Sequence, residues 1–344
     1  MQIEVVKPGK LLDKKGELIE TGYAKSLIKE YDRKDIKAAG FRIKEWDYYL
    51  VSDGKCALAL TIADNSYMGM YSVSVLDLVR GSEVTKSVMT AAPFGKTKLP
   101  STSKTGDVKF EGNGLRLAFL NNGKERRLSV HFENFKDGNT LEGEVVLTDE
   151  PEDSMVIITP YKEDKKAFYY NQKINCMRAS GKVSVGSFSH EFVPDTAFGT
   201  LDWGRGVWTY SNTWYWGSAS YVLNGHKFGW NIGYGFGNTE AASENMLFYD
   251  GKAHKLDRVT FQIPVDENGK DDYLSPWRFT SNDGRFECDF KPVIDRASRT
   301  NAGIIESDQH QVFGNFTGYA VLDDGTKLEF ENFPGFAEKV KNRW

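Results

Sequence analysis

His226-Lys-Phe-Gly-Trp-Asn-Ile-Gly-Tyr-Gly-Phe-Gly237 alternates with period two from end to end. Successive side chains of an extended chain point to opposite faces. Phe228, Trp230, Ile232, Tyr234 and Phe236 therefore form one bulky face, and Gly229, Asn231, Gly233, Gly235 and Gly237 a nearly bare one. The segment is a strand. A row of glycines in a strand marks a bend, a close backbone approach or room for a ligand. Asn231 stands in that row as a donor and acceptor, placed as the orienting groups of apolar pockets are.

Working upstream, Val207 to Tyr221 read as extended gives a face of Trp208, Tyr210, Asn212, Trp214, Trp216, Ser218 and Ser220. Large rings with polar handles on one side suit the wall of an apolar cavity. Aromatic strands are as often core, so for each tryptophan the packing role is an equal alternative. Just before this wall stands Asp202-Trp-Gly-Arg-Gly206. Glycines on both sides of Arg205 permit a tight backbone path that aims the guanidinium and the Asp202 carboxylate at a common point. Asp202 is then either held ionised by Arg205 or pushed towards the neutral acid by tryptophan. A structural bridge closing a loop is the even alternative.

The rest of the chain has the same character. Trp46 to Val51 and Cys56 to Ile62 flank the turn Ser52-Asp-Gly-Lys55 as a hairpin, and further strands fall at 67–79, 108–110, 115–120, 127–132, 141–147 and 155–159. Helical signals are confined to 21–31, which is a short helix or an irregular strand lead-in, and to a terminal turn over 336–344. The charged stretch between Pro151 and Lys173 marks a crossing near residue 170, giving two β-barrel-like domains, 1–170 and 171–344. Phe132-Glu-Asn-Phe135 recurs as Phe330-Glu-Asn-Phe333, and Asp53-Gly-Lys55 as Asp250-Gly-Lys252, matches short enough to arise by chance.

The composition excludes several classes of function. A net charge of -4 offers no basic field for nucleic acid. No apolar run approaches the roughly 20 residues of a membrane-spanning helix. Three dispersed cysteines, Cys56, Cys176 and Cys288, argue against a disulfide framework and for a reducing compartment, the cytoplasm. There is no CxxC pair, HExxH, GxSxG, P-loop or GxGxxG opening a helix, so no metal and no cofactor is expected. The remaining titratable candidates are His190, Asp195, Glu306, and Asp308 with His310, of which His310 stands before a strand; loop histidines such as His226 and His254 are usually solvated.

A set of segments then resembles a bacterial family, domain of unknown function 2804: Leu11-Leu-Asp-Lys-Lys-Gly16 with Thr21-Gly-Tyr23, Lys44-Glu-Trp-Asp-Tyr-Tyr49, Ala63-Asp64 with Tyr67, Asp202 to Trp208, Trp214-Tyr-Trp-Gly217, Gly335-Phe-Ala-Glu338 and Arg343-Trp344. Thr209 departs from the proline expected there, a change in backbone stiffness rather than chemistry. The resemblance spans essentially the whole chain. Its general look is similar to two-domain lipocalin-like proteins, among them carotenoid hydratases and natural-product cyclases, and it implies bulky apolar ligands.

The expectation is an all-β chain of two antiparallel, lipocalin-like barrels that binds a hydrophobic small molecule and acts on it as a cofactor-independent hydratase, isomerase or cyclase. Asp202 is the expected general acid, Arg205 sets its charge or binds a substrate oxygen, and Tyr210 orients the ligand. Trp203, Trp208, Trp214, Trp216, Asn231 and His310 complete the expected binding set. A non-catalytic carrier of lipid or terpenoid-like molecules and a carbohydrate-binding module are the alternatives.

Overall fold

The computed structural model describes residues 2–303 and 305–343. It is all-β as expected: two curled antiparallel sheets, one a nearly closed barrel and one a half-barrel, with two 3-10 turns at Arg33–Asp35 and Gly40–Arg42. The main path of the first sheet runs, in spatial order, through Ser82–Ala91, Met68–Asp77, Cys56–Asp64, Ile43–Ser52, Phe198–Val207, Phe168–Val185, Asn139–Thr148, Arg126–Lys136, Leu115–Asn121 and Val108–Gly112. The second runs through Lys252–Lys255, Met246–Tyr249, His226–Tyr234, Ser211–Leu223, Lys327–Arg343, Ile305–Val321, Phe286–Ala302, Trp277–Ser281 and Val259–Gln262.

The chain changes sheet at Trp208–Tyr210, not near residue 170. Met155–Pro160 pairs with both Phe168–Val185 and Gly22–Ala24, so the charged stretch after Pro151 is internal to the first sheet. Phe168–Val185 and Phe198–Val207 are likewise strands of that sheet. Charge marked an exposed turn, and hydrogen-bond partners far away in sequence decided which sheet followed it. The lead-in over 21–31 contains the short strands Gly22–Ala24 and Lys29–Glu30. The expected terminal helix is instead the end of the central strand Lys327–Arg343, bonded on both sides; Trp344 lies outside the described residues.

Local chemistry explains the turns. In the hairpin after Ser52, the Asp53 carboxylate accepts hydrogen bonds from the amides of Lys55 and Cys56, each at 2.9 Å, and Gly54 takes φ +80°. The two Phe-Glu-Asn-Phe segments share a conformation. Asn134 and Asn332 both adopt a left-handed φ, near 50°, while Phe132, Phe135, Phe330 and Phe333 are buried.

The barrel and half-barrel have separate apolar cores, and a third cluster lies between them. The bulky row of the opening segment is core: Phe228, Trp230 and Ile232 are buried in the half-barrel, with Trp230 against Phe286, Phe316, Phe330 and Phe333. Burying such a side chain contributes about 1.5–3 kcal/mol. The bare row faces the first sheet and permits a close approach. A Cβ at Gly229 would come 2.8 Å from the Cys176 sulfur, and Asn175 reaches across to donate to Ser218 Oγ at 2.8 Å and to the Trp230 carbonyl at 3.1 Å. All three cysteines are buried and free.

Candidate functional site

Where the sheets meet, alternation decides which side chains share a space. On Phe198–Val207 the even residues face the second sheet and the odd residues face the barrel interior, so Asp202 and Arg205 point to opposite sides. The arrangement expected from Asp202-Trp-Gly-Arg-Gly206 does not form, because the segment is a regular strand rather than a tight loop. Arg205, fully buried, binds Asp47 at 3.0 Å and donates to the carbonyls of Trp46 and Pro100, each at 2.7 Å. Its guanidinium lies 4.2 Å from the Trp203 ring centroid. Trp203 is thus core of the barrel rather than ligand wall. Burial pushes the Asp47 carboxyl up, and Arg205 opposes it.

Asp202 is paired instead with Lys173, its direct register partner on the neighbouring strand. Lys173 Nζ lies 2.9 Å from Asp202 Oδ2, and Asn171 donates to Asp202 Oδ1 at 2.6 Å. The same ammonium sits 3.7 Å over the Trp216 ring, a cation–π contact that gains strength where water is excluded. Trp216 is held by Asn231, whose Oδ1 accepts from its Nε1 at 2.6 Å, while Asn231 Nδ2 donates to the Glu244 carbonyl at 2.8 Å. Asn231 is therefore a positioning residue with both ends of its amide in use.

Two further carboxyls complete the cluster. Glu338 lies opposite Trp216 in register and accepts from Trp214 Nε1 at 2.9 Å and from Gln311 at 3.0 Å. Glu244, on the segment that joins His226–Tyr234 to Met246–Tyr249, is 4% exposed, and no hydrogen bond among the described residues engages its carboxyl. Burial pushes both up to about 7, against the pull of Lys173. The Tyr169 and Tyr161 hydroxyls are buried and have no hydrogen-bond partner in the protein. Burial raises both strongly, and after burial Glu244 is the largest influence on each. Around this polar group stand aromatic rings: Tyr169 stacks on Trp46 at 6.1 Å and on Phe236 at 4.3 Å, Trp208 meets Trp46 at 5.4 Å and Trp214 at 5.8 Å, and Tyr48 meets Trp216 at 5.9 Å. Among the described residues, no group of three or more His, Cys, Asp or Glu is arranged to hold a metal ion.

The profile of the family domain of unknown function 2804 matches residues 2–344. The chain belongs to that family. Among solved structures, a candidate AttH from Nitrosomonas europaea is similar with a TM-score of 0.54 at 13% identity, over 92% of this chain and 97% of that one. Kievitone hydratase from Nectria haematococca is similar at a TM-score of 0.45 and 10% identity, over 88% of each chain. The first likeness shows a shared fold, and neither assigns roles to residues here. None of the curated proteins matches.

In this family member, Asp202, Trp208, Trp214, Trp216 and Asn231 of the expected set come together. Arg205 and Trp203 lie on the other face of their strand. Tyr210 is at the crossing between sheets with 55% of its surface exposed. His310 faces into the half-barrel, where it stacks on Tyr273 at 3.8 Å and binds Asp295 at 2.7 Å. Burial pulls its ring down, but the Asp295 hydrogen bond and the charges of Asp295 and Asp308 outweigh it and leave the ring raised. The residues that pattern reasoning passed over are Asn171, Lys173, Glu244, Glu338 and Tyr169. Glu338 stood inside the family-like Gly335-Phe-Ala-Glu338 and so had a signal, whereas Lys173, buried like its strand neighbours, closes a stretch that reads as a charged crossing. Glu244 had none.

A pH dependence follows from the two raised carboxyls. Their folded-state values exceed the ordinary 4.5, so with rising pH the unfolded chain releases these protons first. The stability they contribute is full below about pH 4.5 and is lost as pH rises through about 7. In Glu244→Gln, the fall in urea-unfolding free energy between about pH 5 and pH 8 should be smaller than in wild type by on the order of 2 kcal/mol. Equal slopes in the two proteins would show that Glu244 titrates as a solvated residue does.

Proposed function

We propose that the space between the sheets binds a bulky apolar small molecule and transfers a proton to or from it without a cofactor, as a hydratase or isomerase does. The observation that carries this reading is a buried, uncommitted carboxyl, Glu244, beside the uncommitted hydroxyls of Tyr161 and Tyr169 inside an aromatic enclosure. Buried polar groups are normally satisfied, and exceptions ask for a reason. A substrate oxygen accepting from Tyr169, with Glu244 as the proton-transfer group, supplies one. A carboxyl near 7 is matched to that work at neutral pH. Asp202, with both oxygens engaged by Lys173 and Asn171, acts as a positioning residue. Lys173 and the rings of Trp214 and Trp216 balance charge that develops on the substrate.

The remaining expectations bear on setting. Three free buried thiols support a reducing compartment, the cytoplasm. Among the described residues no helix is long and apolar enough to cross a membrane.

The test uses an organic extract of the producing cells incubated with the protein in D2O. Wild type should introduce deuterium into at least one apolar metabolite, and Glu244→Gln should do so about 100-fold more slowly or not at all. A metabolite that binds wild type yet gains no deuterium would replace the enzymatic reading by that of a carrier.

A further inference from the structure

One ring in the enclosure, Phe236, is carried by the connection that leaves the second sheet after His226–Tyr234. It is slotted between Tyr169, at 4.3 Å and 11°, and Trp214, at 4.6 Å and 29°, with Trp208 at 5.2 Å against its edge. Tyr169 is backed in turn by Trp46 in a stacked arrangement at 16°. Two stacked walls, one backed by Trp46 and the other met edge-on by Trp208, make a slot one aromatic layer thick. We infer that Phe236 is an internal stand-in for the ligand, and that the slot accepts a planar arene bearing a hydroxyl or carbonyl, which displaces Phe236. The inference rests on the site proposed above and narrows its ligand class.

The connection that carries Phe236 is built unequally. Its far end is fixed: Asn231 holds the Glu244 carbonyl, the Gly233 amide donates to Asn245 Oδ1 at 2.7 Å, and Lys255 donates to Ser243 Oγ at 2.9 Å and to the carbonyls of Asn245 and Leu256, each at 2.7 Å. Its near end is held by a backbone bond from Asn238 to the Pro160 carbonyl at 2.7 Å and by the exposed ion pair Lys162–Glu240, and its middle by a bond from the Ile3 amide to the Ala241 carbonyl at 2.8 Å. Surface pairs of that kind contribute little. Phe236 is flanked by Gly235 at φ +104° and Gly237 at φ +61°, both in the region that glycine visits at least cost. An open groove of about 730 Å³ lined in part by Tyr161, Asn212, Tyr234, Gly237 and Asn245 runs along this connection. Phe236 can therefore leave the slot while Glu244 stays beside it.

A flat ligand entering from the groove would stack where Phe236 now stacks, and its oxygen would meet the Tyr169 hydroxyl. A saturated bicycle of the same carbon count is thicker than one layer, and would have to part Tyr169 from Trp214 against the Trp46 ring behind Tyr169. Planarity, not hydrophobicity, is what the slot selects.

The probes are 2-naphthol and its saturated analogue decahydro-2-naphthol, with binding read by calorimetry on the full chain. Phe236→Ala should bind 2-naphthol at least tenfold more tightly than wild type, because the ligand no longer competes with an internal ring, and should show no such gain for decahydro-2-naphthol. An unchanged affinity for 2-naphthol, or equal gains for both alcohols, would overturn the inference. In wild type, which needs no substitution, saturating 2-naphthol should accelerate amide hydrogen exchange over Phe236–Thr239, the reverse of the usual protection. Slower or unchanged exchange there counts against displacement. Neither readout depends on proton transfer: tighter 2-naphthol binding by Phe236→Ala with no deuterium incorporation by wild type, or the reverse, tells a failed deuterium experiment from a failed slot.

Discussion

Lys173→Met is expected to cost about 3–5 kcal/mol of stability, the range for removing one partner of a buried ion pair. Lys173 is 3% exposed and pairs with Asp202, and its charge also pulls against the raised values of Glu244 and Glu338. Methionine keeps the apolar stem against Trp216 and removes the charge alone. What remains is a carboxylate with no cation in an enclosure of rings, together with two other carboxyls that now resist ionisation more strongly. The loss should therefore be greatest above about pH 7, where Glu244 and Glu338 are charged in wild type, and smaller near about pH 5. Urea unfolding at both values measures it. The double variant Lys173→Met/Asp202→Leu should recover a good part of the loss, because an apolar pair of similar volume has no buried charge to satisfy. A single variant no less stable than Lys162→Met at the surface would mean that the pair is solvated.

The second large effect belongs to Gly204. Its φ is ordinary for a strand, so the glycine is there for space rather than for conformation. A Cβ at this position would come within 2.5 Å of three atoms of the six-membered ring of the Trp46 indole, which lies across the backbone and is backed by Tyr169 and Trp208. Neither neighbour can retreat, since Tyr169 is fully buried and Trp208 is wedged against Phe236 and Trp214. Gly204→Ala should destabilise by about 3 kcal/mol or more, at the upper end for overpacking. The signature should include a changed near-ultraviolet circular dichroism spectrum, because it is the aromatic enclosure that moves. Gly204→Ala/Trp46→Leu should melt higher than Gly204→Ala alone, a smaller side chain making room for the methyl group. A Gly204→Ala protein that melts with wild type and keeps its spectrum would show that Trp46 repacks freely. Gly206 is a milder case, with a Cβ 2.6 Å from the Phe168 carbonyl and 3.2 Å from Trp208 Nε1.

These two sites show how far the sequence could be read. Asp202-Trp-Gly-Arg-Gly206 was visible as a special segment, and it does lie at the meeting of the sheets. Its glycines do not make a tight turn: Gly204 lets the Trp46 indole lie against the strand, and Gly206 makes room for the Phe168 carbonyl. Treating 207–221 as one strand missed the sheet change at Trp208–Tyr210, where alternation is interrupted and each sheet sets its own phase. Trp214 and Trp216 share a face by alternation alone, and Asn231 joins them because the two strands are hairpin-paired and their register is local.

The alternation of His226–Gly237 by itself determined that the chain is β and which side chains share a face, since a period of two is a property of the extended backbone and needs no partner. What only the tertiary structure decided is which face meets which. Glu244 approaches Asp202 and Lys173 because one sheet curls against another, and Glu338 joins them because the last strand enters the middle of the second sheet. Those neighbours are set by sheet curvature and by hydrogen-bond register over long chain separations, and burial then raises the two carboxyls to values that no local sequence signal encodes.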